Sequence, residues 1–137
     1  MSNMATVQRF FDGVNSGDIG AVSDVIDKCY EVDCRYRGMG DEIDGIDGLK
    51  ELVKGYITAF PDLKLSIQSQ FEQNDMVVTR FIVEGVNNGT FNGLAATGKS
   101  VRLQAISIVR CVNGKIVEEW EEGDLLGLMV QLGHVSV

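Results

Sequence analysis

Apolar residues near the N-terminus recur with the period of an α-helix. Val7, Phe10, Phe11 and Val14 follow the spacing i, i+3, i+4, i+7, which places all four side chains on one helix face. The segment NSGD at 15–18 then supplies a glycine that ends a helix and an aspartate that caps the next one. The pattern therefore predicts two consecutive N-terminal helices.

The second predicted helix is shorter, and an alternating segment follows it. Ile19, Val22 and Ile26 form its expected inward face. The segment VDCRYR at 32–37 alternates apolar and polar residues, which indicates a short β-strand. The next segment, GMGDEIDGIDG at 38–48, is rich in turn-forming residues and is expected to be a loop.

A third helix is predicted between this loop and the only proline of the chain. Asp44 or Asp47 is expected to cap its N-terminus, and Pro61 to end it. The residues with helical spacing on its buried stripe are Leu49, Val53, Tyr56, Ile57 and Phe60.

After the proline the period changes from helical to strand-like. Four segments rich in β-branched residues follow, namely LKLSIQSQF, MVVTRFIVEGV, SVRLQAISIVRCV and KIVEEWEEGD. Asn74-Asp75 and Asn113-Gly114 are hairpin signals, and the segment 88–93 suggests a bend between the second and third strands. The segment 124–133, DLLGLMVQLG, predicts a short C-terminal helix. This order indicates one α+β domain over residues 1–137, in which helices cover the concave face of a bent antiparallel sheet and enclose a cavity.

Composition restricts the possible partners. The formal net charge of −8 at pH 7 argues against nucleic acid and against an anionic membrane, because both require clustered Lys and Arg. No apolar run reaches the ~20 residues of a membrane span. The N-terminus has no signal-peptide pattern, and the three cysteines show no metal-like spacing. We therefore expect a cytoplasmic protein with reduced cysteines.

The residue types leave acid–base chemistry by a carboxylate as the candidate reaction. Triad catalysis requires an imidazole, and the only histidine, His134, lies near the C-terminus. One histidine and three scattered cysteines also argue against a zinc site. Five acidic residues instead surround the single tryptophan in the segment 117–127, VEEWEEGDLLG.

Strand alternation divides this acidic segment between two faces. Glu118, Trp120, Glu122 and Asp124 are expected to point one way, and Glu119 with its neighbours the other. If the tryptophan face is concave, Trp120 walls the cavity and Asp124 lies in or near it, where burial and neighbouring carboxylates would raise its pKa. Two alternatives remain open: the glutamates form a solvated face, and Asp124 is the N-cap of the last helix.

Several segments in collinear order resemble the SnoaL-like polyketide cyclase family. They are FFDGVNSGD, AFPDLKL, NDMVVTRFIVEGVNNGTFNG, ATGKSV, NGKIVEEW and DLLGLMVQLG. The resemblance implies the nuclear transport factor two-like fold, an α+β cone with a deep pocket, and pairing of two copies through the outer sheet face. It also implies intramolecular aldol closure without metal or cofactor, with Asp124 as general acid and base.

Other positions depart from the family pattern or are further candidates. A Gln and a His of the cyclases are matched by Ala105 and Ser107, and a further His by Asn87. Arg80 either pairs inside the cone with Glu118 or Glu122, or lies on the outer face. The remaining candidates to line the pocket or its rim are Phe11, Tyr56, Phe60, Arg35 and Tyr36.

The function expected from the sequence is therefore binding of a small, apolar or polyketide-like molecule. One hypothesis is a cofactor-free cyclase or isomerase that uses Asp124. The alternative is a non-catalytic binding module of the same fold, which the residues at 105 and 107 favour. A third hypothesis is that the open sheet face serves protein association, and a homodimer is expected in any case.

Overall fold

The computed structural model describes residues 2–137, and the chain alternates helices and strands in the predicted order. Its elements are α1 (Asn3–Asn15), α2 (Ile19–Cys29), β1 (Tyr30–Gly38), β2 (Asp41–Asp44), α3 (Ile46–Ala59), β3 (Lys64–Gln73), β4 (Met76–Val86), β5 (Ser100–Val112), β6 (Lys115–Gly123) and α4 (Leu125–Leu132). No helix among residues 2–137 is both long and apolar enough to cross a membrane.

The N-terminal helices follow the apolar pattern closely. The predicted stripe of α1 is buried, and the Asp18 carboxylate caps α2 by accepting hydrogen bonds from the backbone N–H groups of Gly20 and Ala21. Val22 and Ile26 of α2 are buried as predicted. Ile19 is 41% exposed, so its predicted inward orientation was wrong.

The start of α3 differs from the prediction. Its N-cap is Gly45, at φ 94°, and no side chain caps the helix. Neither Asp44 nor Asp47 is therefore the cap. Asp44 instead pairs with Arg37 at 2.9 Å, across a hairpin formed by β1 and β2. The segment predicted to be a loop thus contains a short strand.

The sheet has six strands in the order β2-β1-β6-β5-β4-β3. The four C-terminal strands form the predicted antiparallel meander. The sheet is nevertheless mixed, because β1 pairs in parallel with β6. A parallel neighbour reached through a helix and several strands leaves no local turn signal, so the apolar pattern alone could not indicate this pairing.

The hairpin between β5 and β6 has the geometry that Asn-Gly predicts. Asn113 and Gly114 adopt φ of 52° and 79°, the two positive values of a type I′ turn. This turn fixes the pairing of Val112 with Lys115. The register of pairing that begins at this turn shifts a few residues further along the strands.

A β-bulge interrupts β6 soon after this turn. Cys111 pairs with Ile116, but the adjacent Arg110 pairs with Glu118, so Val117 is an extra residue without a partner. An extra residue shifts the alternation of side chains by one position. On β6, even-numbered residues before the bulge and odd-numbered residues after it therefore face the same side of the sheet.

The long connection between β4 and β5 is held by one buried side chain. The Asn87 amide donates to the carbonyl oxygens of Ala59 and Gly89 at 3.3 and 2.9 Å. Its oxygen accepts from the backbone N–H and the hydroxyl of Thr97 at 2.9 and 3.1 Å. Asn87, at a position where the family pattern has a histidine, thus ties α3 to both ends of this loop.

Candidate functional site

The concave face of the sheet and the helices enclose a cavity of about 110 Å³. Helices α1, α3 and α4 and the inward residues of β3 to β6 contribute its walls. Most of the lining is aromatic or aliphatic, and includes Phe10, Phe11, Val14, Leu49, Leu52, Val53, Phe60, Leu63, Phe81, Val101, Leu103 and Leu128. Such a concave, apolar enclosure is the usual form of a small-molecule site.

Two carboxylates on β6 interrupt this apolar lining. Glu119 is only 5% exposed, and its Oε1 accepts a hydrogen bond from the hydroxyl of the buried Tyr30 at 2.6 Å. Glu121, two residues further, accepts a hydrogen bond from the Tyr36 hydroxyl at 2.7 Å. Both tyrosines come from β1, the parallel neighbour of β6, so the pairing of these two strands forms the polar part of the site.

Burial changes the proton affinity of both carboxyl groups. It raises the pKa of Glu119 to about 8, and the negative charge of Glu121 acts in the same direction. Burial also raises the pKa of Glu121, with a smaller contribution from the charge of Glu122. The hydrogen bonds from the tyrosines oppose these increases, because they stabilise the ionised carboxylates. The pair therefore retains protons at a higher pH than exposed glutamates do.

A third tyrosine lines the same cavity with its hydroxyl free. Within residues 2–137 the Tyr56 hydroxyl has no hydrogen-bond partner, whereas its ring contacts Phe91 at a centroid distance of 5.6 Å. Burial raises the pKa of Tyr56 to about 12, and the charges of Glu121 and Asp41 contribute. This hydroxyl is thus a protonated donor within electrostatic range of Glu121.

The predicted cavity face of β6 was wrong. Trp120 is 38% exposed and Glu122 is exposed, and neither lines the cavity. Glu118 points outward, where it pairs with Arg35 at 3.0 Å and Arg110 at 2.7 Å. These arginines, Arg110 first, lower the pKa of Glu118. The cause of the error is the bulge at position 117, which turns the odd-numbered glutamates inward instead of the even-numbered ones.

Asp124 lies outside the cavity, at the N-terminus of α4. Its side chain is exposed and accepts a hydrogen bond from the backbone N–H of Gly127 at 2.8 Å. It is therefore the N-cap that the sequence offered as an alternative to a pocket residue. The cavity has no contribution from this carboxylate.

The other sequence candidates divide between the two faces of the sheet. Phe11, Tyr56 and Phe60 line the cavity, and so does Tyr36. Ala105 also lines it, whereas Ser107 is buried on the inward face without reaching the cavity. Arg80 is exposed on the outer face, where its Nε donates to the Ser69 hydroxyl at 3.3 Å. Arg35, paired with Glu118, also lies outside.

Sequence reasoning missed the two carboxylates that occupy the cavity. Glu119 and Glu121 had been placed on the opposite face, because strict alternation was assumed from Ile116 onward. One signal was present: Ile116 and Val117 are consecutive apolar residues in a strand that otherwise alternates. Two consecutive apolar residues in a strand are compatible with a β-bulge and equally with a strand that is buried on both faces.

In this protein a bent sheet and three helices enclose a cavity that is apolar except for two glutamates. This arrangement is that of the cone-shaped, nuclear transport factor two-like class of α+β proteins. The model of the SnoaL-like polyketide cyclase family matches residues 5–132, and the chain belongs to this family. No curated protein shows a significant match to this chain.

Solved structures agree with this assignment. AclR, a candidate hydroxylase from Streptomyces galilaeus, is similar with a TM-score of 0.85 and 28% identity over 98% of this chain and 97% of that one. A candidate SnoaL-like polyketide cyclase from Jannaschia sp. CCS1 has a TM-score of 0.89 and 22% identity over 98% and 93% of the two chains. IdmH, a candidate polyketide cyclase from Streptomyces antibioticus, has a TM-score of 0.81 and 23% identity over 97% and 99%. The last two likenesses concern the fold alone.

Proposed function

We propose that this protein is an acid–base enzyme of the cyclase or isomerase type, acting on a small apolar carbonyl compound. The observation that supports the proposal is the carboxylate of Glu121 in an apolar cavity, within electrostatic range of the free hydroxyl of Tyr56. Membership of a polyketide cyclase family supports the same class of reaction. In this proposal Glu121, rather than the exposed Asp124, carries the proton.

The first chemical step is removal of a proton from a carbon next to the carbonyl group. The ionised Glu121 accepts this proton, the C–H bond breaks, and its electron pair moves through the new C=C bond to the carbonyl oxygen. The Tyr56 hydroxyl donates a hydrogen bond to that oxygen as its negative charge develops. Because burial raises the pKa of Glu121, it is a stronger base than an exposed glutamate.

Glu119 keeps the charge of the pair low. Its pKa of about 8 leaves it largely protonated at pH 7, so it adds little negative charge to the cavity. A buried neutral carboxyl group can donate a hydrogen bond, as neutral carboxylic acids do in other enolising enzymes. We assign to Glu119 the role of a positioning residue that sets the proton affinity of Glu121.

The enolate can then react in two ways. Attack on a second carbonyl carbon of the same molecule closes a ring, whereas return of the proton to a different carbon completes an isomerisation. The volume of about 110 Å³ limits the enclosed part of the substrate. An engineered cavity of about 150 Å³ holds benzene, so the enclosed part of the substrate is no larger than one ring and the rest of a larger substrate lies outside the cavity.

One observation favours a binding module without catalysis. The Tyr30 and Tyr36 hydroxyls are already engaged by the carboxylates, and Ala105 supplies no polar group to the cavity. Tyr56 is then the sole free side-chain hydroxyl among the lining residues that the structure describes. A site with so few donors holds an apolar ligand without activating it.

Exchange of α-protons with solvent distinguishes the acid–base enzyme from the binding module. Wild-type protein is incubated with cyclohexanone in D2O, and deuterium incorporation is followed by proton NMR. We expect enzyme-dependent exchange that Glu121→Gln slows by about 100-fold or more. Glu84→Gln removes an exposed charge of β4 away from the cavity and should exchange like the wild type. Equal exchange by wild type and Glu121→Gln would refute the role of Glu121, and binding of cyclohexanone without exchange would favour the binding module.

A further inference from the structure

The polar side of the cavity carries negative charge and no positive partner. Of the lining residues that the structure describes, two are carboxylates and none is Lys, Arg or His. Of the four arginines on the two strands that flank β6, Arg35 and Arg110 pair with Glu118 on the outer face, Arg37 pairs with Asp44, and Arg102 is exposed. No cation among residues 2–137 therefore neutralises a charge inside the cavity.

Each carboxyl group also has an oxygen left over. The tyrosine hydroxyls contact Oε1 of Glu119 and Oε1 of Glu121, and no hydrogen bond reaches either Oε2 within residues 2–137. Among these residues, no fully buried side-chain oxygen or nitrogen lacks a partner. The two free oxygens are consequently accessible, and the space next to these side chains is the cavity.

The free oxygens of Glu119 and Glu121 are hydrogen-bond acceptors in an apolar enclosure, and they favour a ligand that donates hydrogen bonds. An unpaired buried carboxylate is costly, and in the empty cavity the groups meet this cost by retaining protons, as their raised pKa values indicate. A ligand with an ammonium group would offer three N–H donors and a positive charge at this point. Charge-assisted hydrogen bonds of this kind are about twice as strong as neutral ones.

We propose that the ligand of this cavity carries a protonated amine on an apolar body whose enclosed part is no larger than one ring, and that ligands with a carboxylate or phosphate are excluded. The ammonium group donates a hydrogen bond to the free oxygen of Glu119 and is attracted by the charge of Glu121, whose free oxygen stays available for the α-proton. The aromatic and aliphatic walls contact the body. The inference rests on the proposed function in that it concerns the same cavity. It adds that the carbonyl substrate carries a basic nitrogen.

Binding of the cation has a further consequence. The ammonium group favours the ionised state of both carboxyl groups, so a proton held by the pair leaves for the solvent when the ligand enters. A primary alkylamine is itself protonated at neutral pH, since the lysine amine has a pKa of about 10.4. Net proton release therefore distinguishes an amine held by these carboxyls from an amine held by the apolar walls alone.

The test uses three probes of one shape: benzylamine, benzyl alcohol and benzoate. Isothermal titration calorimetry at pH 7 should give a Kd for benzylamine at least tenfold lower than for benzyl alcohol, and no binding of benzoate at millimolar concentration. Titration in two buffers of different ionisation heat should show proton release with benzylamine only. Glu121→Gln and Glu119→Gln should each reduce the preference to threefold or less, whereas Glu84→Gln, which removes an exposed charge of β4, should keep it.

Several results would overturn the inference. These are binding of benzyl alcohol within threefold of benzylamine, measurable binding of benzoate, absence of binding by all three probes, or loss of the preference in Glu84→Gln. The last result would mean that the overall charge of −8 attracts the cation, not the pair in the cavity. Failure of the proposed function would give a different result. Preference for benzylamine without exchange of α-protons would support amine binding and refute the proposed catalysis.

Discussion

Replacing Glu119 with glutamine should stabilise the protein at neutral pH. Burial raises the pKa of this carboxyl group from 4.5 to about 8. The unfolded chain releases the proton near pH 4.5, whereas the folded chain keeps it until about pH 8. The unfolded state therefore binds fewer protons in this window, and the free energy of unfolding falls as the pH rises. One proton corresponds to a slope of about 1.4 kcal/mol per pH unit.

The size of the effect follows from that slope. Between pH 4.5 and pH 7 the unfolded chain gains free energy by releasing this proton while the folded chain keeps it, so the free energy of unfolding falls by about 3 kcal/mol. Glutamine has no proton to lose, and its amide oxygen can accept the hydrogen bond from Tyr30 that the carboxylate accepts now. The difference between variant and wild type should therefore be small near pH 4.5 and grow to about 3 kcal/mol at pH 7.

Urea denaturation followed by circular dichroism measures this difference at pH values from 4.5 to 8. Glu122→Gln is the matched control, because it removes a negative charge from an exposed position of the same strand. Its free energy of unfolding should run parallel to that of the wild type. A Glu119→Gln curve that is also parallel to the wild type would refute the reasoning, since the buried carboxyl would then titrate like an exposed one.

Two further substitutions test features outside the cavity. Asp124→Ala removes the cap on the Gly127 N–H and should lower the free energy of unfolding by about 1 kcal/mol, with α-proton exchange within twofold of the wild type; a tenfold loss of exchange would return the acid–base role to Asp124. Trp120→Lys should convert a homodimer to monomers in sedimentation velocity, because Trp120 and the 47% exposed Ile106 are apolar residues of the outer sheet face. A monomeric wild type or a dimeric variant would contradict pairing through this face.

Most elements of the fold were predictable because they leave a local pattern, whereas the short strand β2 lies in a segment predicted to be a loop. Helical spacing from Val7 to Val14 predicted α1, and the Asn113-Gly114 turn predicted the hairpin that joins β5 and β6. The pairing of β1 with β6 was not predictable in this way. Tyr36 and Glu119 are neighbours in the sheet although most of the chain lies between them. A parallel contact at this sequence distance depends on packing of the whole sheet.

The prediction of the inward face of β6 was wrong because of a single residue. Apolar helix residues such as Phe11 and Phe60 line the cavity, because the stripe that packs inward also faces the enclosed space. On β6 the prediction required the alternation to be exact over nine residues, and the bulge at Val117 broke it. Since the period of a strand is two, one extra residue exchanges every side chain between the faces. The error therefore affected Trp120 and every glutamate together.

The same bulge makes the two acidic faces of β6 chemically different. On the outer face Glu118 pairs with Arg110 and Arg35, which lower its pKa. On the inner face Glu119 and Glu121 are buried against an apolar wall, and burial raises their pKa values although tyrosine hydroxyls from β1 donate hydrogen bonds to them. The pKa values of neighbouring carboxyl groups on one strand are thus shifted in opposite directions, because one face offers cations and the other offers burial.

The inner pair depends on close contact between β1 and β6 beside Glu121. Gly38, the last residue of β1, pairs with Glu121, and a Cβ atom there would overlap the backbone carbonyl oxygen of Glu121. Any larger residue would separate the two strands and move the hydroxyl of Tyr36 away from the carboxylate. The acidic cavity therefore requires three things at once: a bulge that turns the glutamates inward, a parallel neighbour that supplies tyrosines, and a glycine that lets the strands meet. Only the bulge leaves a trace in the apolar pattern, in the consecutive residues Ile116 and Val117, yet all three together decide which carboxylates face the cavity.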